Sequence, residues 1–277
     1  MLPDFICVGP GRAGTSWLYE ILREHPGICM ARNIKETQYF DRHFAKGVGW
    51  YGEFFQDCPG AAVKGEISNR YVFDPRVAER ISSLLPQCKI IICFRNPYER
   101  IQSVYSFKIR EGVLTCGFLE AIQRDPRLIE ENRYFTVVEP YYRLFGRDHI
   151  FPLFFEDISG RPEQLCRNLF TFLGVDATAQ PPSMREKINR AIIPRLPGIA
   201  PLTKGTARVL RTMGMHRMLT WAKRSEWLKQ LLFKEHGYHE ENLLTQEARA
   251  LIDPVVGPEI DRLQVLIDKD LSHWKRS

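Results

Sequence analysis

The sequence predicts an α/β fold, a three-layer arrangement with a mainly parallel central sheet, and three observations predict it. Short apolar runs at residues 5–8, 61–67, 89–94 and 149–155 are separated by stretches of helical period. The run KIIICF at 89–94 is almost continuously apolar, as a strand covered on both faces is. The first run opens into GPGRAGTS and then an apolar helical pattern, so a strand, a glycine-rich loop and a helix follow one another within residues 4–26.

That first unit organises the rest. Trp17, Leu18, Ile21 and Leu22 recur at helical spacing, Thr15 or Ser16 is placed to cap the helix, and Pro26 lies beyond its end. Glycines let a backbone turn sharply and approach a ligand, and a helix start offers unpaired N–H groups. Arg12 adds a forked cation, so the loop suits a phosphate or sulfate group. The plainer reading is a tight strand-to-helix turn with a surface arginine. The spacing matches neither the nucleoside-triphosphate loop, which needs Gly-Lys-Ser/Thr, nor the dinucleotide fingerprint.

Further along, Glu36 in KETQYFD is either a partly buried carboxylate or a solvated loop glutamate. Gly47–Tyr51 is a turn into an aromatic cluster, with Trp50 and Tyr51 as core or pocket wall. AAVKGEI at 61–67 reads as a strand ending in the polar Ser68-Asn69-Arg70-Tyr71, at the carboxyl end where α/β sheets gather ligands. Pro75 begins a helix that Pro86 stops. After strand 89–94 comes Arg95, then a helix from Pro97 to about Arg110 that carries Ser103. Arg95 and Ser103 make a second candidate anion site; the alternative ties Arg95 to a neighbouring carboxylate. Residues 117–146 read as two helical pieces broken near Asp125-Pro126, with Tyr134 on an apolar face that is more often core than site. A strand at 149–155 and an amphipathic helix from Pro162 to Leu173, closed by Gly174, complete the core.

Composition fits one globular unit over 1–277: 44% hydrophobic, 26% charged, net charge +6. The parts are an α/β core at 4–175, a basic loop and helices at 176–240 that could act as a lid, and C-terminal helices at 241–277, split at Pro254. Within 185–234 twelve Lys and Arg residues stand against Glu186 and Glu226. This stretch is a solvated helical pair, a path for an acidic acceptor or cofactor, or a contact with an anionic membrane surface. The basic excess suits an anionic ligand without calling for nucleic acid. The seven cysteines are scattered and never in CxxC spacing, so buried thiols are expected, with neither zinc nor a disulfide framework. No secretory signal opens the chain and no apolar run approaches bilayer length, which leads to the expectation of a cytoplasmic protein. Nothing in the sequence fixes an oligomeric state.

Five motifs in order, GPGRAGTSWL, KETQYFD, GVGWY, GEISNRY and IICFRNPYERIQSVYSF, resemble the sulfotransferases that use 3′-phosphoadenosine 5′-phosphosulfate. The likeness is greatest to the heparan-sulfate-type branch and its bacterial relatives, whose closing residues the final DLSHW also resembles. The resemblance implies a single domain with a fold related to nucleotide kinases, and it implies the following site. Gly11, Arg12, Ala13, Gly14, Thr15, Ser16 and Trp17 would hold the 5′-phosphosulfate, and Arg95 with Ser103 the 3′-phosphate. Glu36 falls on the branch's base, and Tyr71 on an aromatic near the acceptor. Three departures stand out: Arg12 replaces the usual loop lysine, Ile67 replaces a lysine, and Gln38 replaces a histidine.

The expected reaction is in-line transfer of a sulfuryl group to an acceptor hydroxyl on a carbohydrate or small natural product. Glu36 would act as base and Arg12 with the loop N–H groups would stabilise the leaving phosphate, with no metal required. Trp50, Tyr51, Ser68, Tyr71 and Tyr134 are the candidates for acceptor binding, and Lys187 and Arg190 for closing over the cofactor. The rival readings are a small-molecule kinase and a non-catalytic anion-binding module. Against the kinase stand the absent Gly-Lys-Ser/Thr and the lack of an evident magnesium carboxylate.

Overall fold

The computed structural model describes residues 1–58, 60, 63–185, 192–194, 233–235 and 243–276. Lys187, Arg190 and nearly all of the basic stretch 185–234 lie outside them. The chain runs β1 (Phe5–Gly9), α1 (Thr15–Glu24), β2 (Ile28–Met30), α2 (Gly47–Gly52), β3 (Val63–Ile67), α3 (Pro75–Leu84), β4 (Lys89–Phe94) and α4 (Pro97–Arg110). There follow α5 (Phe118–Arg124), α6 (Arg127–Glu130), α7 (Tyr134–Phe145), β5 (Ile150–Phe154), α8 (Phe155–Gly160), α9 (Pro162–Leu173) and α10 (Gln246–Ile267). Two short strands, β6 (Ile192–Pro194) and β7 (Phe233–Glu235), pair antiparallel within the stretch expected to be loop and helices.

The five main strands form a parallel sheet in the order β2-β3-β1-β4-β5. Alternation along each strand splits the core in two. Ile6, Val8, Ile90, Ile92 and Phe94 pack on one face with residues of α3, α7 and α10. Phe5, Cys7, Ile91 and Cys93 pack on the other with α1 and α9. Both faces are therefore dry, which is why the strands read as continuous apolar runs. Gly65 in β3 is required by this packing, since a Cβ there would lie 2.2 Å from the Phe5 ring.

Several expectations are corrected. Three-residue β2 escaped notice because it is too short for a periodic signal. The 117–146 stretch forms three helices rather than two, since the chain also breaks at Glu131–Arg133. α10 runs through Pro254 and Pro258 instead of splitting; Ala248, Ile252, Val256, Ile260 and Leu263 form one buried stripe that holds it together. Gly14, in the left-handed region at φ 97°, occupies the cap position of α1, with no side-chain cap from Thr15 or Ser16. Cys29 and Cys58 form a disulfide, with Cα atoms 5.7 Å apart, where thiols were expected. Cys29 lies on the edge strand β2, and Cys58 lies between α2 and β3. The other five cysteines are free.

Candidate active site

β1 sits between β3 and β4, and the chain leaves it in opposite directions, so its carboxyl end is the topological switch point of the sheet. Three segments meet there: the loop after β1, residues 68–70 after β3, and Arg95-Asn96 after β4.

The loop is shaped by close backbone approach. Gly9 has φ +96°, and a Cβ on it would lie 2.4 Å from the Asn69 carbonyl oxygen. That same carbonyl accepts the Gly11 N–H at 3.2 Å. Arg100 fixes the loop from behind. It is buried, and its Nε donates to the Gly11 carbonyl at 3.0 Å, while Nη1 donates to the Glu131 carbonyl at 3.0 Å and to Asn132 Oδ1 at 2.8 Å. The α1 ladder begins with Leu18 N–H donating to the Gly14 carbonyl at 3.0 Å. The N–H groups of Thr15, Ser16 and Trp17 precede that bond and have no intrahelical acceptor, so the turn presents donors and a positive dipole end. This donor set fits a phosphate or sulfate oxyanion.

Arg12 has a left-handed backbone (φ 68°), and its side chain leans onto α4. Its Nε donates to Ser103 Oγ at 3.1 Å, and its guanidinium lies 5.4 Å from the Phe107 ring centre. Arg95 donates to Glu99 Oε2 at 3.1 Å and stacks 4.3 Å from the Phe155 ring centre. Glu99, Ser103 and Phe107 recur every fourth residue, so both arginines meet one stripe of α4. The expected Arg95–Ser103 pair thus appears as two neighbouring contacts: Ser103 with Arg12, and Arg95 with a carboxylate.

Glu36 is half-buried on the opposite side of the loop. The Asn69 side-chain amide donates to Glu36 Oε1. Burial pushes the Glu36 pKa above the ordinary carboxylate value, against the pull of the Lys35 cation and Asn69. Lys35 itself reaches back to the helix start, with Nζ donating to Ser16 Oγ at 3.3 Å.

The residues beneath this surface correct the expected acceptor wall. Tyr51, Tyr71 and Tyr134 are buried, as is Ser68. Tyr51 and Tyr71 donate their hydroxyls to Glu66 Oε1 at 2.8 and 3.2 Å, and Thr37 donates both N–H and hydroxyl to Glu66 Oε2. Ser68 Oγ adds a long 3.5 Å contact to the same carboxylate. These side chains serve a buried glutamate rather than an open pocket, because a carboxylate inside the core must collect donors. Tyr134 packs on Phe94 and Trp274, and burial pushes its pKa up to about 12. Trp50 stays half-buried, with the Lys46 ammonium 4.2 Å from its ring centre. The Trp17 indole also turns inward, donating to the Met184 carbonyl at 3.1 Å, which leaves only its backbone N–H at the loop.

Sequence reasoning passed over Lys35, Asn69 and Arg100. Lys35 carried a signal in its adjacency to Glu36, and Asn69 in its place after a strand. Arg100 lay in a helix rich in charge and carried none.

The family model for the sulfotransferase domain matches residues 2–195. The membrane-associated sulfotransferase kil1 of Dictyostelium discoideum is 34% identical over 112 residues, 39% of this chain and 24% of that protein. Bifunctional heparan sulfate N-deacetylase/N-sulfotransferase 3 of Homo sapiens is 31% identical over 142 residues, 48% of this chain and 16% of that protein. The chain thus spans a quarter or less of the length of these relatives. A sulfotransferase from Alicyclobacillus acidocaldarius superposes over the whole of both chains with a TM-score of 0.72 at 22% identity, a likeness of fold. Among the described residues no group of His, Cys, Asp and Glu could hold a metal ion, and no helix is long and apolar enough to cross a membrane.

Proposed function

The chain belongs to the sulfotransferase domain family, and we propose that it moves a sulfuryl group from 3′-phosphoadenosine 5′-phosphosulfate to an acceptor hydroxyl, with Glu36 as general base. One observation carries this reading: Asn69 joins the base to the anion loop. Its carbonyl holds the Gly11 N–H and its side-chain amide holds Glu36. A carboxylate and the loop that bears the oxyanion donors are thereby fixed to one residue.

The roles follow from the chemistry of each group. Glu36, with a pKa raised by burial, takes the acceptor's hydroxyl proton as the oxygen attacks sulfur. The N–H groups of Thr15, Ser16 and Trp17 stabilise charge on the departing 5′-phosphate. Arg12 on Ser103 extends the positive surface toward α4, where the 3′-phosphate would lie near Arg95. Arginine holds its proton at any working pH, so Arg12 contributes charge and no proton. The acceptor is a carbohydrate or a small molecule with a free hydroxyl.

The test is donor binding and turnover together. Adenosine 3′,5′-bisphosphate should raise the melting temperature where ATP does not. Labelled sulfate should pass from the donor to a member of an acceptor panel. Glu36→Gln should keep the thermal shift and lose turnover by 100-fold or more. Stabilisation by ATP in place of the bisphosphate would favour a kinase instead, and near-normal turnover of the variant would remove Glu36 from its role.

A further inference from the structure

We infer that Lys35 is a second catalytic residue, whose ammonium contacts the leaving 5′-phosphate and donates a proton to it as the sulfur–oxygen bond breaks. The inference rests on the sulfuryl-transfer reading above and names a residue that the family resemblance left without a role.

The geometry carries it. Lys35 Nζ lies 3.3 Å from Ser16 Oγ, in the first turn of α1, where the Thr15–Trp17 N–H groups have no intrahelical acceptor. It also lies 5.6 Å from the Tyr19 ring centre, and the carboxylates of Glu36 and Glu20 and the thiols of Cys7 and Cys93 act on it electrostatically. Among the described residues no carboxylate forms an ion pair with it. A cation at a helix N-terminus is in the wrong place for the dipole, which favours an anion there. Holding a half-buried ammonium against that field makes sense when an anion enters between them. The cation of the loop itself, Arg12, contacts Ser103 and Phe107 on α4.

Proton release separates Lys35 from the arginines. Burial pulls its pKa below the ordinary lysine value, against the attraction of Glu36. Lysine can yield a proton when desolvated, whereas guanidinium cannot. The step balances as follows. The acceptor oxygen forms a bond to sulfur and its proton passes to Glu36. The bond from sulfur to the 5′-phosphate oxygen breaks, its electron pair stays on that oxygen, and the oxygen takes the proton from Lys35 Nζ. Both side chains then exchange protons with solvent, so one proton has moved in net from acceptor to leaving phosphate. Adjacent residues thus serve the two ends of the transfer, with Glu36 on the acceptor side and Lys35 on the leaving side.

The experiment compares wild type, Lys35→Met and Lys35→Arg. Calorimetry with adenosine 3′,5′-bisphosphate and with adenosine 3′-monophosphate reads the contact. Lys35→Met should lose 10-fold or more in affinity for the bisphosphate and under 3-fold for the 3′-monophosphate. Lys35→Arg keeps the charge and should bind the bisphosphate within about 3-fold of wild type. It should nevertheless turn over at least 30-fold more slowly, and kcat/KM for the donor should lose the alkaline fall expected of wild type from a lysine whose pKa burial has lowered. Equal discrimination between the two nucleotides by wild type and Lys35→Met would overturn the contact. Full turnover by Lys35→Arg at every pH would overturn the proton transfer. Failure of wild type itself to bind the bisphosphate would refute the donor assignment instead, so the two failures are distinct.

Discussion

Asn69→Ala isolates the link between base and loop. The substitution removes the amide that donates to Glu36 while keeping the backbone carbonyl that anchors Gly11. A hydrogen bond to a charged group contributes about 1.5–3 kcal/mol, and one pKa unit corresponds to about 1.4 kcal/mol. Glu36 is only half-buried, so water recovers part of the loss, and the lower end of that range applies. The Glu36 pKa, already raised by burial, should therefore climb further, while the Asn69 backbone, which the substitution keeps, still holds it down in part. As the proposed base, Glu36 must be ionised to accept a proton, so activity should be present above this pKa and lost as pH falls through it. The assay is the pH profile of kcat/KM for the donor. The acid limb should move upward by up to about one unit, with activity returning toward wild type at higher pH. Binding of adenosine 3′,5′-bisphosphate should stay within about 3-fold, because the loop's anchor remains. An unmoved acid limb, or an equal loss at every pH, would refute the claim that Asn69 sets the ionisation of the base.

Three further outcomes are expected. Gly9→Ala sets a Cβ 2.4 Å from the Asn69 carbonyl at a φ of +96°, so it should cost about 2–4 kcal/mol in a denaturant melt; a loss under about 0.5 kcal/mol would contradict the described loop. Arg100→Met leaves the Gly11 and Glu131 carbonyls and Asn132 Oδ1 without their donor, and should lower stability by about 3 kcal/mol and weaken bisphosphate binding, both read by thermal shift with and without the nucleotide. Alkylation of the denatured, unreduced protein should modify five of the seven cysteines and spare Cys29 and Cys58, as peptide mapping would reveal; modification of all seven would refute the disulfide.

The fold was legible because its signals are local. Four of the five parallel strands announce themselves as apolar runs, and α3, α4 and α9 have Pro at their starts. β2 offers only three residues, and α10 crosses two prolines because a long-range stripe outweighs them. At the site, the loop and Glu36 were readable from spacing and order. The partner of Ser103 was not, because whether Arg12 or Arg95 reaches it depends on the left-handed backbone at residue 12 and on which carboxylate captures Arg95. Nor could the sequence show that the tyrosines beside the motifs face inward. Aromatic rings suit a pocket wall and a core alike, and the deciding fact is the location of their hydroxyl acceptor.

That acceptor is Glu66, and its burial gives Glu36, the proposed base, a fixed footing. A carboxylate buried on an apolar sheet face is costly unless donors surround it. Its donors come from three separate segments: Thr37, Tyr51 and Tyr71. Tyr71 in turn takes the Phe40 N–H at 3.1 Å, so residues 37 and 40 are held from below by one network. Glu36 is the residue immediately before that anchored stretch. Its backbone is thus set by the core, and its side chain is left to meet Asn69. Burial drives the Glu66 pKa upward even against its donors, so desolvation outweighs hydrogen bonding there. The same two effects act on Glu36 with less burial and fewer donors. One carboxylate is enclosed and serves architecture; the other, nearer the solvent, stays open to the role proposed for it. The difference in their chemistry follows from depth in the fold, since both begin as the same side chain at the carboxyl edge of one sheet.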